Sequence, residues 1–324
     1  MVKKYLQGFF LTLLLLPITA FAYPKVLLPG GENIGISIQT NGIIVAGIYE
    51  VNNHYPATKA GIKPGDIITS VNKKQVFTID DMVSVINQTT TNQMEVEYLR
   101  NQKKYNTVLE LENTDGVIKT GLYVKDSVMG IGTLSFIDPA TKTYGALGHE
   151  ITEKNTGILL EVKNGKIFSS SVTKIDRSSE GIPGSKNALF DQNTIKGTIE
   201  KNTHSGIFGT YQEELTNKKE YKVAIPADIK LGEAKMLTVI EKEEVKEYEI
   251  NILKLNQSDD NKNILFEKTD AELLEKTGGV VQGMSGSTII QGDYIIGAVN
   301  YVVVDNPKRG YGIFITNMLD EMER

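Results

Sequence analysis

The sequence has no cysteine, no tryptophan and only three histidines in 324 residues. Without thiols there can be no disulfide, zinc–thiolate site, cysteine nucleophile or iron–sulfur cluster. Histidine chemistry is confined to His54, His149 and His204, and none of them has a second histidine at metal-ligand spacing, so neither a metal nor any other cofactor is expected. Positive charge is not in excess either. Lys and Arg total 35 against 40 Asp and Glu, a net charge of −5; setting aside Lys3 and Lys4 leaves 33 against 40, or −7, for the chain after residue 22. A nucleic-acid partner is therefore not expected.

Long apolar runs are also scarce, with one exception at the start. Lys3 and Lys4 precede an uncharged stretch from Tyr5 to Pro24, centred on Phe9 to Leu16 and ending in Ala20-Phe21-Ala22. A basic start, a short apolar stretch and a small-x-small site describe an export signal. Pro17 breaks the run well short of the roughly 20 residues that span a bilayer, so cleavage after Ala22 is favoured over an uncleaved anchor. Residues 1–22 are read as signal or anchor, and the remainder as an exported protein stabilised by its cores alone.

From Gly30 to about Asn113, short strands punctuated by Pro and Gly are expected. Thr78, with Asp80 and Asp81 after it, offers an N-cap and first-turn acids for a helix carrying Met82, Val83, Val85 and Ile86. Met94, Val96 and Tyr98 alternate with Glu95 and Glu97 as in a half-buried strand. The segment Ala60-Gly61-Ile62-Lys63-Pro64-Gly65-Asp66-Ile67-Ile68 and the position of that helix make residues 23–113 resemble a PDZ domain. That family captures a peptide terminus with backbone N–H groups while the peptide adds a strand to the sheet. The resemblance places the carboxylate loop at Ile34, Gly35 and Ile36.

From residue 114 to the C-terminus, short apolar strands follow one another with little helical periodicity, which suggests one closed β-barrel or a pair of them. Here Gly283-Met284-Ser285-Gly286 can expose a serine hydroxyl on a tight turn. The N–H groups of Gly283 and Ser285 can point the same way to hold an oxyanion. It is not the elbow of α/β-hydrolases, because position 287 is Ser. A serine needs a base, and His149, after the small and apolar Tyr144 to Gly148, is the best placed; His204 competes and His54 reads as a loop residue. For an acid to orient the imidazole, spacing leaves Asp126, Asp138, Asp176, Asp191 and Asp270 open.

Taken together, these blocks resemble the family of stage IV sporulation protein B, the PDZ-containing S55 serine peptidases of endospore formers. The resemblance runs from about Gly30 to the C-terminus, through Pro29 to Gly35, Gly130 to Leu134, Tyr144 to His149, Lys201 to Gly209, Leu273 to Ser287 and Gly310 to Phe314. It implies a mainly β chain, a PDZ domain followed by a chymotrypsin-like double β-barrel, with His149 as base, Ser285 as nucleophile and Asp270 as acid. It also implies export from the forespore to the space between two membranes. There such proteins cleave themselves and a protein at or in a membrane, triggering mother-cell gene expression, and the PDZ domain takes peptide termini. Thr288, Asn300-Tyr301 and Ser185 depart from the family's usual residues. A non-catalytic PDZ scaffold with an inactive barrel is the alternative. An HtrA-type protease is disfavoured, since there the PDZ domain follows the protease.

Overall fold

The computed structural model describes residues 23–215 and 218–323, so the expected signal over residues 1–22 lies outside the described residues. The chain begins with β1 (Val26–Pro29) and a 16-residue strand, β2 (Asn33–Ile48). Then come α1 (Pro56–Lys59), β3 (Ile67–Val71), β4 (Lys74–Gln75), α2 (Ile79–Asn87), β5 (Gln93–Arg100) and β6 (Lys103–Glu110). A hairpin of β7 (Glu112–Thr114) and β8 (Val117–Lys119) leads into a second 16-residue strand, β9 (Leu122–Ile137). Five strands follow: β10 (Thr143–Ala146), β11 (Val162–Asp176), β12 (Gly184–Ile199), β13 (Lys201–Thr203) and β14 (Gly206–Thr210). The last part holds β15 (Tyr221–Val223), β16 (Gly232–Val239), β17 (Val245–Leu255), β18 (Ile264–Lys268) and α3 (Ala271–Thr277). It ends with β19 (Val281–Gln282), β20 (Thr288–Gln291), β21 (Tyr294–Val302), β22 (Arg309–Phe314) and α4 (Ile315–Glu323).

Pairing closes two antiparallel circuits. In the first, β2 lies between β9 and β11, β11 pairs β12, and β12 runs on into β13, which pairs β14; β14 pairs β10 and β10 returns to β9. In the second, β16 pairs β17, β17 pairs β18, β18 pairs β22, β22 pairs β21, β21 pairs β20 and β20 returns to β16. Closure leaves neither sheet a free lateral edge, and the inward-facing apolar side chains fill each lumen. Tyr144, Ile167 and Ile207 are among those filling the first, and Met236, Phe266 and Ile289 the second. A third cluster joins the barrels, with Leu27, Phe136, Phe208 and Ile313 packed against Met318 and Leu319 of α4. β1 ties them further, pairing its first half with β15 and its second with β9. This is the chymotrypsin-like double barrel.

The PDZ core and the core of the first barrel share one long strand, β2. The PDZ core runs from Ile43 to Leu122, whereas Ile34, Ile36 and Ile38 belong to the barrel core. β1 and the first half of β2 pair with barrel strands, while the second half of β2 and the start of β9 belong to the PDZ core. Within it α2 starts as expected, with Thr78 and Asp81 forming a reciprocal capping box, which satisfies N–H groups that a helix start leaves open. Asp66, 1% exposed, accepts from Arg100 Nε and Nη2 and from the Lys63 N–H. That explains why Lys63-Pro64-Gly65-Asp66 ends in an acid: the turn would otherwise bury an open N–H and leave the guanidinium unpaired.

Candidate active site

His149 and Ser285 come from different barrels and line one cavity of about 480 Å³ between them, with Leu147, Gly283, Asn300 and Tyr301 in its wall. The His149 side chain is delivered by two successive left-handed residues, Leu147 at φ 71° and Gly148 at φ 70°. A non-glycine residue there carries strain that the surrounding packing must hold. His149 Nδ1 lies 2.7 Å from the Glu150 carbonyl oxygen. A carbonyl can only accept, so Nδ1 carries the proton and Nε2 keeps its lone pair, the tautomer a general base needs. Burial pulls the imidazole below its usual 6.5, against the opposing pull of the Glu150 carbonyl and carboxylate, so the ring is neutral at pH 7. Tyr301 stacks on it at 5.6 Å.

Ser285 sits on a turn held from behind by Thr133 of β9. The Thr133 hydroxyl donates to the Gly283 carbonyl at 2.8 Å and its N–H donates to the Ser285 carbonyl at 2.9 Å. With both carbonyls tied backward, the N–H groups of Gly283 and Ser285 have no hydrogen-bond partner among the described residues, while Met284, Gly286 and Ser287 donate to Val281, Val299 and Met284. Two unengaged N–H groups beside a serine are what an oxyanion requires. Gly283 holds φ 92° and Gly286 φ 94°. A Cβ on Gly286 would stand 1.9 Å from the Thr133 carbonyl oxygen, so the turn closes this tightly on the first barrel only with glycine. The Ser285 hydroxyl donates to the Asn300 carbonyl at 3.2 Å.

The structure does not bring Asp270 to His149. Asp270 is the N-cap of α3 and accepts from the Leu273 N–H, a role its place ahead of Ala271-Glu272-Leu273 explains by itself. The other candidates are engaged elsewhere too. Asp126 accepts from the Ile79 N–H at the start of α2, Asp138 and Asp191 bind within their own turns, and Asp176 pairs with Lys174 and Asn187. The one acid lining the cavity is Glu150, whose carboxylate lies 3.6 Å from His204 Nδ1. His54 pairs with Glu112 in the PDZ domain.

Ile34, Gly35 and Ile36 are likewise not a carboxylate loop. They pair with Gly132, Ile131 and Gly130 of β9 on one side and with Ser169, Phe168 and Ile167 of β11 on the other, so no row of N–H groups is left for a peptide. Gly35 is glycine because the Phe190 ring lies on it: a Cβ would come 2.4 Å from Phe190 Cγ. Sequence reasoning did not single out Thr133, Glu150 or Tyr301 as parts of the site. Thr133 lies within the Gly130 to Leu134 segment that carries the resemblance, and Tyr301 is one of its departures, but pairing across barrels has no local signature.

A PDZ domain model matches residues 33–111. No curated protein matches the chain. The solved structure titled "Crystal structure of Rv3671c protease, inactive form" aligns over 60% of this chain and 85% of that one, at 11% identity and a TM-score of 0.34. The model for SpoIVB peptidase S55 matches residues 116–319, more than half of the chain, and the protein belongs to that family of serine peptidases.

Proposed function

We infer that the protein is an exported serine endopeptidase of sporulation that cuts itself and a protein at or in a membrane, and so switches on gene expression in the mother cell. Ser285 attacks the scissile carbonyl, His149 Nε2 takes its proton and returns it to the leaving amine, and the Gly283 and Ser285 N–H groups hold the tetrahedral oxyanion. Water then releases the acyl group with His149 again as base. The reading rests chiefly on the two unengaged N–H groups beside Ser285, in the cavity that His149 shares. Orientation of the imidazole falls to the Glu150 carbonyl, and attack requires the Ser285 O–H to leave Asn300 and turn to Nε2. Export is supported by the N-terminal pattern, and sporulation, self-cleavage and a membrane substrate by the resemblance to the family.

The engaged Ser285 hydroxyl is what favours the second reading, a PDZ scaffold without catalysis. Intact mass of the chain from Tyr23 onward, followed over hours as wild type and as Ser285→Ala and His149→Ala, separates the two. Fragments from the wild type alone are expected. Cleavage that persists at the wild-type rate in Ser285→Ala would refute the mechanism, and three intact, folded chains would favour the scaffold.

A further inference from the structure

Lys186, on β12, is 3% exposed and forms no ion pair among the described residues. Its stem lies behind the nucleophile turn, so that a Cβ on Gly283 would meet Lys186 Cβ, Cγ and Cδ at 3.2 to 3.3 Å. Its Nζ sits between two hydroxyls, 3.4 Å from Thr133 Oγ1 and 3.1 Å from Thr238 Oγ1. Thr133 spends its own proton on the Gly283 carbonyl, so toward Lys186 it can only accept. Thr238 and Ser287 share a single contact of 2.9 Å. Ser287 donates in that contact, so the Thr238 proton needs another acceptor, and among the described residues the remaining polar contact of Thr238 is Lys186 Nζ. A neutral amine pairs every hydroxyl proton, accepting from Thr238 and donating one of its two N–H groups to Thr133. An ammonium would leave a hydroxyl proton unpaired among buried groups and bring a charge with no carboxylate paired to it among the described residues.

We propose that Lys186 is a positioning residue for the oxyanion turn, acting as the neutral amine that joins Thr238 of the second barrel to Thr133 of the first and, through Thr133, to Gly283. The proposal rests on the peptidase reading of Ser285. Protonation sets the ammonium in competition with Thr133 for the Gly283 carbonyl and disturbs the turn. Burial brings the Lys186 amine down to about 7, so the change falls in an accessible range. Of the charged groups on the surrounding strands, Lys174 and Asp176 of β11 pair with each other at the surface, as do Lys235 of β16 and Glu247 of β17. Lys268 of β18 is near enough for Lys186 to act on it, and Asp270 acts on Lys268 in the opposite sense.

The test is the rate at which a fluorophosphonate labels Ser285 between pH 5 and 9, in wild type, Lys186→Met and Thr133→Val. Methionine keeps the stem and removes the amine. Wild type is expected to lose rate on the acid side with a slope steeper than one proton, Lys186→Met with a slope of one from His149 alone, and both variants to label about 10-fold or more slowly at the plateau. Equal plateau and slope in wild type and Lys186→Met would overturn the proposal. Absence of labelling in wild type counts against the peptidase reading instead. The backbone amide resonances of Gly283 and Ser285, titrated over the same range, then decide the lysine: a midpoint near 7 that disappears in Lys186→Met supports it, and no midpoint in wild type overturns it.

Discussion

The protein buries ionisable side chains in two contrasting ways. On the PDZ side each buried acid has a cation: Asp66 has Arg100, and Glu153, 1% exposed, has Lys125 with the N–H groups of Asn155 and Thr156. Between the barrels Lys186 has only hydroxyls, and Lys268, 2% exposed, has the Gly279 carbonyl at 2.6 Å and the Met284 sulfur. Paired charges stay charged and lock a turn in place. Unpaired amines favour neutrality, and both lie against the segment that carries Ser285. The first arrangement serves stability, while the second leaves the active-site turn open to the proton.

The contrast can be broken most forcefully at Asp66. Asp66→Ala strands the guanidinium and the Lys63 N–H, and is expected to cost about 3 kcal/mol, read as a lower urea midpoint. Glu153→Gln is the milder version, about 1–3 kcal/mol. Burial raises the Glu153 carboxyl, but hydrogen bonds from Lys125, Thr156 and Asn155 outweigh it and hold it below its usual 4.5. Its stabilisation is therefore present above that value and lost as pH falls through the depressed one, so acid melts of wild type should show a loss that Glu153→Gln lacks.

On the other side of the contrast the sign reverses. Burial above all, with Lys186 beside it, holds the Lys268 amine well below its usual 10.5, against the pull of Asp270. The unfolded chain then binds the extra proton, and stability rises with pH between the depressed and the usual value. Lys268→Met should melt no lower than wild type at pH 7 and lose that rise; a clear drop in melting temperature would show that the amine's bond to Gly279 matters more than its burial. The smallest effect is on rate: with His149 shifted downward by burial, the acid limb of kcat/KM should have its His149 midpoint below 6.5.

What could be read in advance was what local spacing determines. Thr78 with Asp81, and the tight turn at Gly283-Met284-Ser285-Gly286, need only neighbours along the chain. The barrel membership of Ile34, Gly35 and Ile36 could not be read. An apolar strand looks the same whether its partners come from a PDZ sheet or from β9 and β11, more than 90 residues away. Asp270 failed for the same reason, since an acid ahead of a helix serves equally as a cap. The burial of Lys186 has no sign in the sequence, because lysines are almost never buried without a partner.

One strand links these regions mechanically. β9 starts in the PDZ core at Leu122 and reaches the back of the nucleophile turn at Thr133, paired with β2 along the way. At about 3.3 Å per residue this is a continuous rod of roughly 35 Å with no intervening loop. A tilt of the PDZ core is therefore carried along β9 and its partner β2 together, and the far end of that lever is the hydroxyl that holds Gly283.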